Sequence, residues 1–369
     1  MTKTFLPVSR PSVDKDDISF ITKECLQKNF VGPSEIIKNF EKIISKDLSK
    51  KYGLATNSGT SALITAVASL NLPKKSKILI PNSTIVSVLN SVLINNHIPI
   101  FCDINNDDWN ITFLEVKSIC KIHNISACII VENLNSSSKE LDLIIKFLKK
   151  SKIKIIEDAS ESFGGSFKNI KFGSMGDITT LSFYPNKLIT TGEGGMLLTD
   201  NKNYFEFSKK YINLFFGQSR NFKHYNVGYN FRINSISAAL GLSQYRKKDK
   251  FLLHRKKIYK KYLDELNWKY LRTQKIYSFI DSSYWVFPLT INYKNFKAID
   301  IIEYLDNHNI QSRHLFYPLS QQPLLNKKQK MNNSLNLYMY GFYIPLGNGI
   351  TIPEVGRTIK TLNNFFNDY

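Results

Sequence analysis

What this sequence lacks narrows its chemistry before any motif is read. No apolar run approaches the roughly 18–20 residues needed to span a bilayer, and the opening MTKTFLPVSRP has no apolar core of the kind a secretory signal carries. A soluble, cytoplasmic protein with no membrane partner is expected. Cysteine is scarce: Cys25, Cys102, Cys120 and Cys128 are scattered without C-x-x-C spacing. That pattern is neither a disulfide framework nor a zinc or iron–sulfur cradle, so free thiols and no metal site are expected. Two nucleotide-binding signatures are also missing, since neither G-x-x-x-x-G-K-S/T nor G-x-G-x-x-G after a strand occurs. There are no internal repeats.

Acidic residues are in short supply as well. Thirty Asp and Glu face 50 Lys and Arg, a net charge of +20. An excess of this size raises nucleic acid as a partner. The lysines, however, recur in pairs from end to end, such as Lys74-Lys75, Lys149-Lys150 and Lys247-Lys248, with no arginine-rich stripe and no helix-turn-helix, RRM or zinc-finger pattern. A phosphate-tracking surface needs clustering, so nucleic acid is not expected; attraction of small anions is.

What is present reads as an α/β protein. The runs KILIP (Lys77–Pro81), IPIFCD (Ile98–Asp103), SACIIVEN (Ser126–Asn133) and IKIIED (Ile153–Asp158) are short and near-continuously apolar, as strands buried on both faces are. Between them TSALITAVASL, SVLNSVLINN and ELDLIIKFLKKS read as helices. Such alternation predicts a mostly parallel sheet flanked by helices. ITTLSFY and GMLLTD follow without a helix between them, which predicts an antiparallel or irregular connection, and NLNSSSKE reads as a loop. After about residue 245 the texture changes. QYRKKDKFLLHRKKIYKKYLDEL reads as one long charged helix, followed by a strand in YWVFPLTI and a helix in AIDIIEYLDNHN. At 369 residues two domains are expected, a large one over 1–245 and a smaller α+β one over 246–369.

Ligands of open α/β sheets lie beyond the carboxyl ends of the strands. That rule singles out Asn82–Thr84, Asp103, Glu132–Asn133, Asp158 and the turn holding Lys187. In ATNSGTSAL, Asn57-Ser58-Gly59 precede a helix opening near Thr60 and Ser61. Hydroxyls and free amides there make an anion receptor, or a plain helix cap. Asp158 ends a strand in IIEDASESFGG, where a carboxylate could hold a protonated ring nitrogen. Lys187 lies 29 residues on, in SFYPNKLITTGEGG, between a strand and a Gly-rich turn. An anion cradle, a strand-end Asp and a lysine are together what pyridoxal phosphate needs for its phosphate, its ring nitrogen and its aldehyde.

With these motifs the chain resembles the sugar-nucleotide aminotransferases of the DegT/DnrJ/EryC1/StrS family over almost its whole length. FLPVSRPSV, NFVGPSEIIKNFE, NSGTSAL, EDASESFGG, SFYPNKLITTGEGGM, VGYNFRINSISAALGLSQ and FYPLSQQPLL occur in the family's order. The resemblance implies the fold type I of pyridoxal-phosphate aminotransferases, with Lys187 as the Schiff-base lysine and Asp158 as the pyridinium partner. It places Gly59, Thr60, Ser61 and Ser182 at the phosphate, Ile85 and Glu161 at the ring, and Asn230 at the phosphate of a neighbouring subunit in a homodimer. Phe30, Tyr184, Arg232, His314 and Ser320 are implied around the substrate. The implied reaction moves an amino group from glutamate, through pyridoxamine 5'-phosphate, to the keto carbon of a nucleotide-linked 4-keto-6-deoxy sugar. Resemblance to GDP-perosamine synthases favours C4 and GDP. Three positions depart from the family's usual pattern: Ile85 stands for an aromatic residue, Ser320 for a histidine, and ENLNSSS for a loop like H-L-Y-G. Rival readings are a sugar dehydratase of the same family, against which Lys187 and the unclustered cysteines argue, and a non-catalytic binding protein on the same fold.

Overall fold

The computed structural model describes residues 4–28, 32, 34–216, 222–292 and 295–367. The four apolar runs form strands β2 (Lys77–Pro81), β3 (Ile98–Cys102), β4 (Ile125–Val131) and β5 (Lys154–Asp158). They are preceded by β1 (Tyr52–Thr56) and followed by β6 (Ile178–Ser182) and β7 (Gly195–Thr199). Among the described residues these seven make one sheet in the order β1-β7-β6-β5-β4-β2-β3. Pairing is parallel from β3 through β2, β4 and β5 to β6. It is antiparallel where β7 meets β6 and β1, so the irregular connection expected after ITTLSF affects two pairings.

Successive residues of a strand point to opposite faces. Ile78 and Ile80 accordingly pack into one hydrophobic cluster with Ala66 and Val88, and Leu79 into another with Ile144 and Leu148. Both faces are covered by helices, which is why the strand sequences carry almost no polar residues. Each fully buried Leu or Ile contributes about 1.5–3 kcal/mol. Cys25, Cys102 and Cys128 are buried, Cys120 is half-buried, and all four are free thiols.

A second, antiparallel sheet orders residues 271–273, 287–291, 341–344 and 313–314. Helices Ala298–Asn307 and Ile352–Asn367 accompany it, and a separate hydrophobic cluster forms around Phe287, Ile301, Phe342 and Leu362. Leu6, from the opening segment, joins this cluster and bridges to Ile310. Among the described residues no helix is long and apolar enough to cross a membrane.

One local expectation is corrected. The charged stretch near residue 245 is two helices, Ser235–Arg246 and Lys248–Glu265, broken at Lys247. The Lys247 ammonium lies 2.7 Å from both Asp14 and Asp17, an attachment to distant residues that local pattern does not reveal. The serine-rich stretch is a loop, as expected, and it is buried: Asn133 to Ser138 are all inaccessible. Several of its polar contacts come from distant residues. Gln274 donates to the carbonyls of Asp108 and Asn133 at 2.8 and 2.9 Å, and Asn135 donates to that of Val286 at 2.6 Å.

Strand β7 begins against the turn that precedes the Gly59–Ser69 helix. A Cβ on Gly195 would lie 2.4 Å from the Ser58 carbonyl oxygen and 2.6 Å from the Gly59 nitrogen. Both neighbours are backbone and cannot rotate away. Gly195→Ala is therefore expected to cost about 1–3 kcal/mol of stability, read from denaturant unfolding of the two proteins side by side.

Candidate active site

Strands β5 and β6 end side by side, and the helix Gly59–Ser69 starts across from them. Together with the turn Ser182–Gly195 and the second sheet they enclose a cavity of about 310 Å³. Gly59, Thr60, Ile85, Asp158, Glu161, Ser182, Tyr184 and Lys187 all line it. The Lys187 amine lies 3.8 Å from the centre of the Trp285 ring. Burial pulls this amine down to about 8, with Arg255 acting in the same direction, while the charges of Glu161 and Asp158 hold it up.

Asp158 is 1% exposed. Burial pushes its carboxyl up; hydrogen bonds from Ser160 and Thr180 and the charge of Lys187 oppose that. Ser160 Oγ donates at 2.5 Å, Thr180 Oγ1 at 3.1 Å and the Ser160 amide at 3.3 Å, all to Oδ1. Oδ2 is thus the oxygen left for a group in the cavity. Glu161 is buried and pushed up to about 7, chiefly by desolvation. Its Oε2 accepts the Leu134 amide at 2.7 Å, so the buried serine-rich loop is what aims it.

At the other end lies a hydroxyl-rich helix start. Ser58 caps the helix by accepting from the Ser61 amide at 3.1 Å. Thr60 Oγ1 sits 2.7 Å from Ser87 Oγ, and Ser87 also lines the cavity. Close approach is required here too, since a Cβ on Gly59 would lie 2.9 Å from Ser182 Cβ. The donor set fits pyridoxal phosphate. Amides and hydroxyls at a helix start suit its phosphate, the free oxygen of a buried carboxylate suits its ring nitrogen, and a half-buried amine of lowered basicity suits its aldehyde.

Several residues singled out from the sequence lie elsewhere. Ser61 is buried behind the turn, its hydroxyl donating to Asn57 Oδ1 at 2.7 Å. Asn230 is exposed, and its carbonyl accepts from Asn57 Nδ2 at 3.5 Å. Arg232 donates to Asn213 Oδ1 and lines a different cavity of about 530 Å³, with Glu41 and Phe216. His314 stacks on Tyr338, ring centres 5.0 Å apart, and does not line the cavity. Ser320 is fully buried; its amide donates to Asn82 Oδ1 at 2.7 Å and its hydroxyl to the Gln329 carbonyl at 2.6 Å. Asp103, named by the strand-end rule, instead holds the Asn332–Tyr340 helix start, accepting both the Asn333 and Ser334 amides at 3.0 Å. Phe30 lies outside the described residues.

Among the lining residues that escaped sequence reading are Trp285, Arg313, Phe316 and Tyr343. These four come from the second sheet or its edges. Arg313 and His314 form a two-residue strand, so their side chains alternate, and Arg313 is the one that faces the cavity. That alternation is the only sequence signal for it. Nothing local links residues 285 or 343 to Lys187.

Residues 12–363 match the DegT/DnrJ/EryC1/StrS aminotransferase family. The chain is 26% identical over 369 residues to a GDP-perosamine synthase of Escherichia coli O157:H7, covering 99% of each chain. It is 31% identical over 287 residues to a UDP-4-amino-4,6-dideoxy-N-acetyl-beta-L-altrosamine transaminase of Campylobacter jejuni subsp. jejuni, 77% of this chain and 76% of that one. Among solved structures, Helicobacter pylori PseC, an aminotransferase of pseudoaminic acid biosynthesis, superposes with a TM-score of 0.91 at 24% identity, covering 99% of this chain and 100% of the other.

Only a neutral amine attacks an aldehyde. Capture of pyridoxal phosphate by the cofactor-free protein is therefore expected to accelerate with pH and level off above about 8. Stopped-flow absorbance measures this. A rate still climbing toward the ordinary lysine value of about 10.4 would contradict a desolvated Lys187.

Proposed function

The chain belongs to the DegT/DnrJ/EryC1/StrS aminotransferase family and is a pyridoxal-phosphate-dependent sugar aminotransferase; on that premise we propose that it transfers the amino group of glutamate to C4 of a GDP-linked 4-keto-6-deoxy sugar. One observation carries the reading: Lys187, Asp158 and Glu161 share a buried cavity with the hydroxyl-rich start of the Gly59–Ser69 helix. Similarity over 99% of both chains to a GDP-perosamine synthase supports GDP and C4. A UDP-linked sugar is the second reading, favoured by the higher identity, over a shorter stretch, to a UDP-sugar transaminase. A homodimer is part of the proposal, because Asn230 is exposed and does not line its own cavity.

The cofactor supplies an aldehyde for a lysine amine and a conjugated ring that takes up the electron pair released at an α-carbon. The residues supply the rest. The Ser58 turn, Thr60 and Ser182 would bind the phosphate. Asp158, charged and held by Ser160 and Thr180, would keep the ring nitrogen protonated. Lys187 Nζ would take the proton from the donor's α-carbon and return it at the far side of the same transfer. Its lowered basicity makes the neutral form available near pH 8. Trp285, over the amine, shields it from water. Arg313 lines the wall opposite and offers a positive charge to an anionic substrate.

Borohydride reduction of the protein with pyridoxal phosphate should leave a pyridoxyl adduct on the peptide containing Lys187; an adduct mapped to another lysine overturns the assignment. Lys187→Ala should lower transamination by at least the roughly 10²–10⁴-fold of a lost general base. Offered glutamate with GDP-, UDP- and dTDP-linked 4-keto-6-deoxy sugars, the enzyme is expected to show its highest kcat/KM with the GDP sugar. Preference for UDP would establish the second reading.

A further inference from the structure

Arg255 lies mid-way along the Lys248–Glu265 helix and is 1% exposed. Among the described residues no carboxylate accompanies it; burial alone shifts its titration. A buried charge without a counter-ion is strongly unfavourable unless its hydrogen bonds are made in full. Here two of its four hydrogen bonds, the two from Nη2, go to backbone carbonyls of the turn that carries Lys187. Nη2 donates to the Lys187 carbonyl at 2.7 Å and to that of Asn186 at 3.1 Å. Nη1 reaches the Tyr284 carbonyl at 3.5 Å, next to the Trp285 that covers the amine. Nε donates to Asn348 Oδ1 at 2.6 Å, and Asn348 Nδ2 in turn donates to the Leu188 carbonyl at 2.8 Å. Three consecutive carbonyls, of residues 186, 187 and 188, are thus gripped by two side chains from the C-terminal part of the chain.

We propose that Arg255, together with Asn348, is a positioning residue for Lys187: it fixes the backbone on both sides of the lysine and sets a permanent positive charge beside its amine. The inference rests on Lys187 being the reacting amine. An irregular turn has no ladder to hold its carbonyls, and a lysine side chain with free rotors can place its nitrogen reproducibly only from a fixed Cα. The guanidinium fork supplies the fixing, because its donors lie in one rigid plane. The charge acts separately. It opposes protonation of the amine and so counters Glu161 and Asp158, which favour it. Arginine suits this task better than lysine, since it stays charged when buried.

The test uses the full-length protein freed of cofactor. Competitive acetylation with acetic anhydride across a pH series, quantified on the Lys187 peptide by mass spectrometry, reports the titration midpoint of that amine. Borohydride trapping after mixing with pyridoxal phosphate reports how fast it captures an aldehyde. Arg255→Met should raise the midpoint and slow capture near neutrality. Arg255→Lys should leave the midpoint in place yet still slow capture, because charge is kept and the fork is lost. Asn348→Ala should slow capture without moving the midpoint. A folded Arg255→Met protein, with the wild-type Tm and circular dichroism, that shows the wild-type midpoint and capture rate overturns the proposal. Should Arg255→Met fail to fold, wild-type capture by both Arg255→Lys and Asn348→Ala overturns it equally. The midpoint needs no cofactor, so the two ideas fail separately. A wild-type adduct on another lysine sinks the functional reading, and a folded Arg255→Met protein with both the wild-type midpoint and the wild-type capture rate sinks the clamp.

Discussion

An amine that must react with an aldehyde has to be kept out of water and yet remain charged easily enough to carry a proton. The role proposed for Lys187 rests on a balance of opposing influences. Desolvation lowers its affinity for a proton, and the carboxylates of Asp158 and Glu161 restore part of it. Neither influence could act alone. Burial without the carboxylates would leave the amine too weak a base to remove a proton from carbon, while carboxylates without burial would leave it as an ordinary solvated ammonium. Much of the architecture serves to bring these groups within reach of one another in a dry place.

The parallel sheet does the first part. Because β5 and β6 run in the same direction, their carboxyl ends emerge together, and Asp158 and Ser182 follow from that alignment. The antiparallel β7 then returns the chain so closely to the helix start that only glycine fits at residues 59 and 195. That closeness brings the hydroxyl-rich helix start into the same cavity as the carboxylates. The second sheet closes the opening with Trp285, Arg313, Phe316 and Tyr343. The excess of positive charge over the rest of the molecule is spread widely, and its effect on an anionic substrate is one of encounter rather than of fit.

Polar side chains outside the cavity show how much of the sequence's hydrogen-bonding capacity goes into fixing loops. Asn82 holds Ser320, and Asp103 holds the start of the Asn332–Tyr340 helix. The loop Asn133–Ser138 is buried with its polar groups answered from residues 274 and 286. The strand-end rule points to Asn82 and Asp103 as ligand contacts, and the serine-rich stretch reads simply as a loop. The same residue types serve both purposes, because an unsatisfied polar group is costly whether the partner it lacks is a substrate or a backbone amide.

The sequence by itself determined the α/β class, the run of strands from β2 to β7, the helix start at Ser58 and the pairing of Asp158 with Lys187 as candidates. These are local matters: an apolar run buried on both faces, a capping serine and glycine-rich turns each announce themselves within about ten residues. It could not determine the break at Lys247, the burial of the serine-rich loop, or the cavity wall drawn from residues 285, 313 and 343. Nor could it distinguish Arg313 from His314, or show that Arg255 grips the turn around Lys187. Those features were decided by tertiary structure alone, because each joins groups far apart in the chain, and which distant carbonyl or carboxylate completes a side chain's hydrogen bonds is settled only when the two sheets pack together.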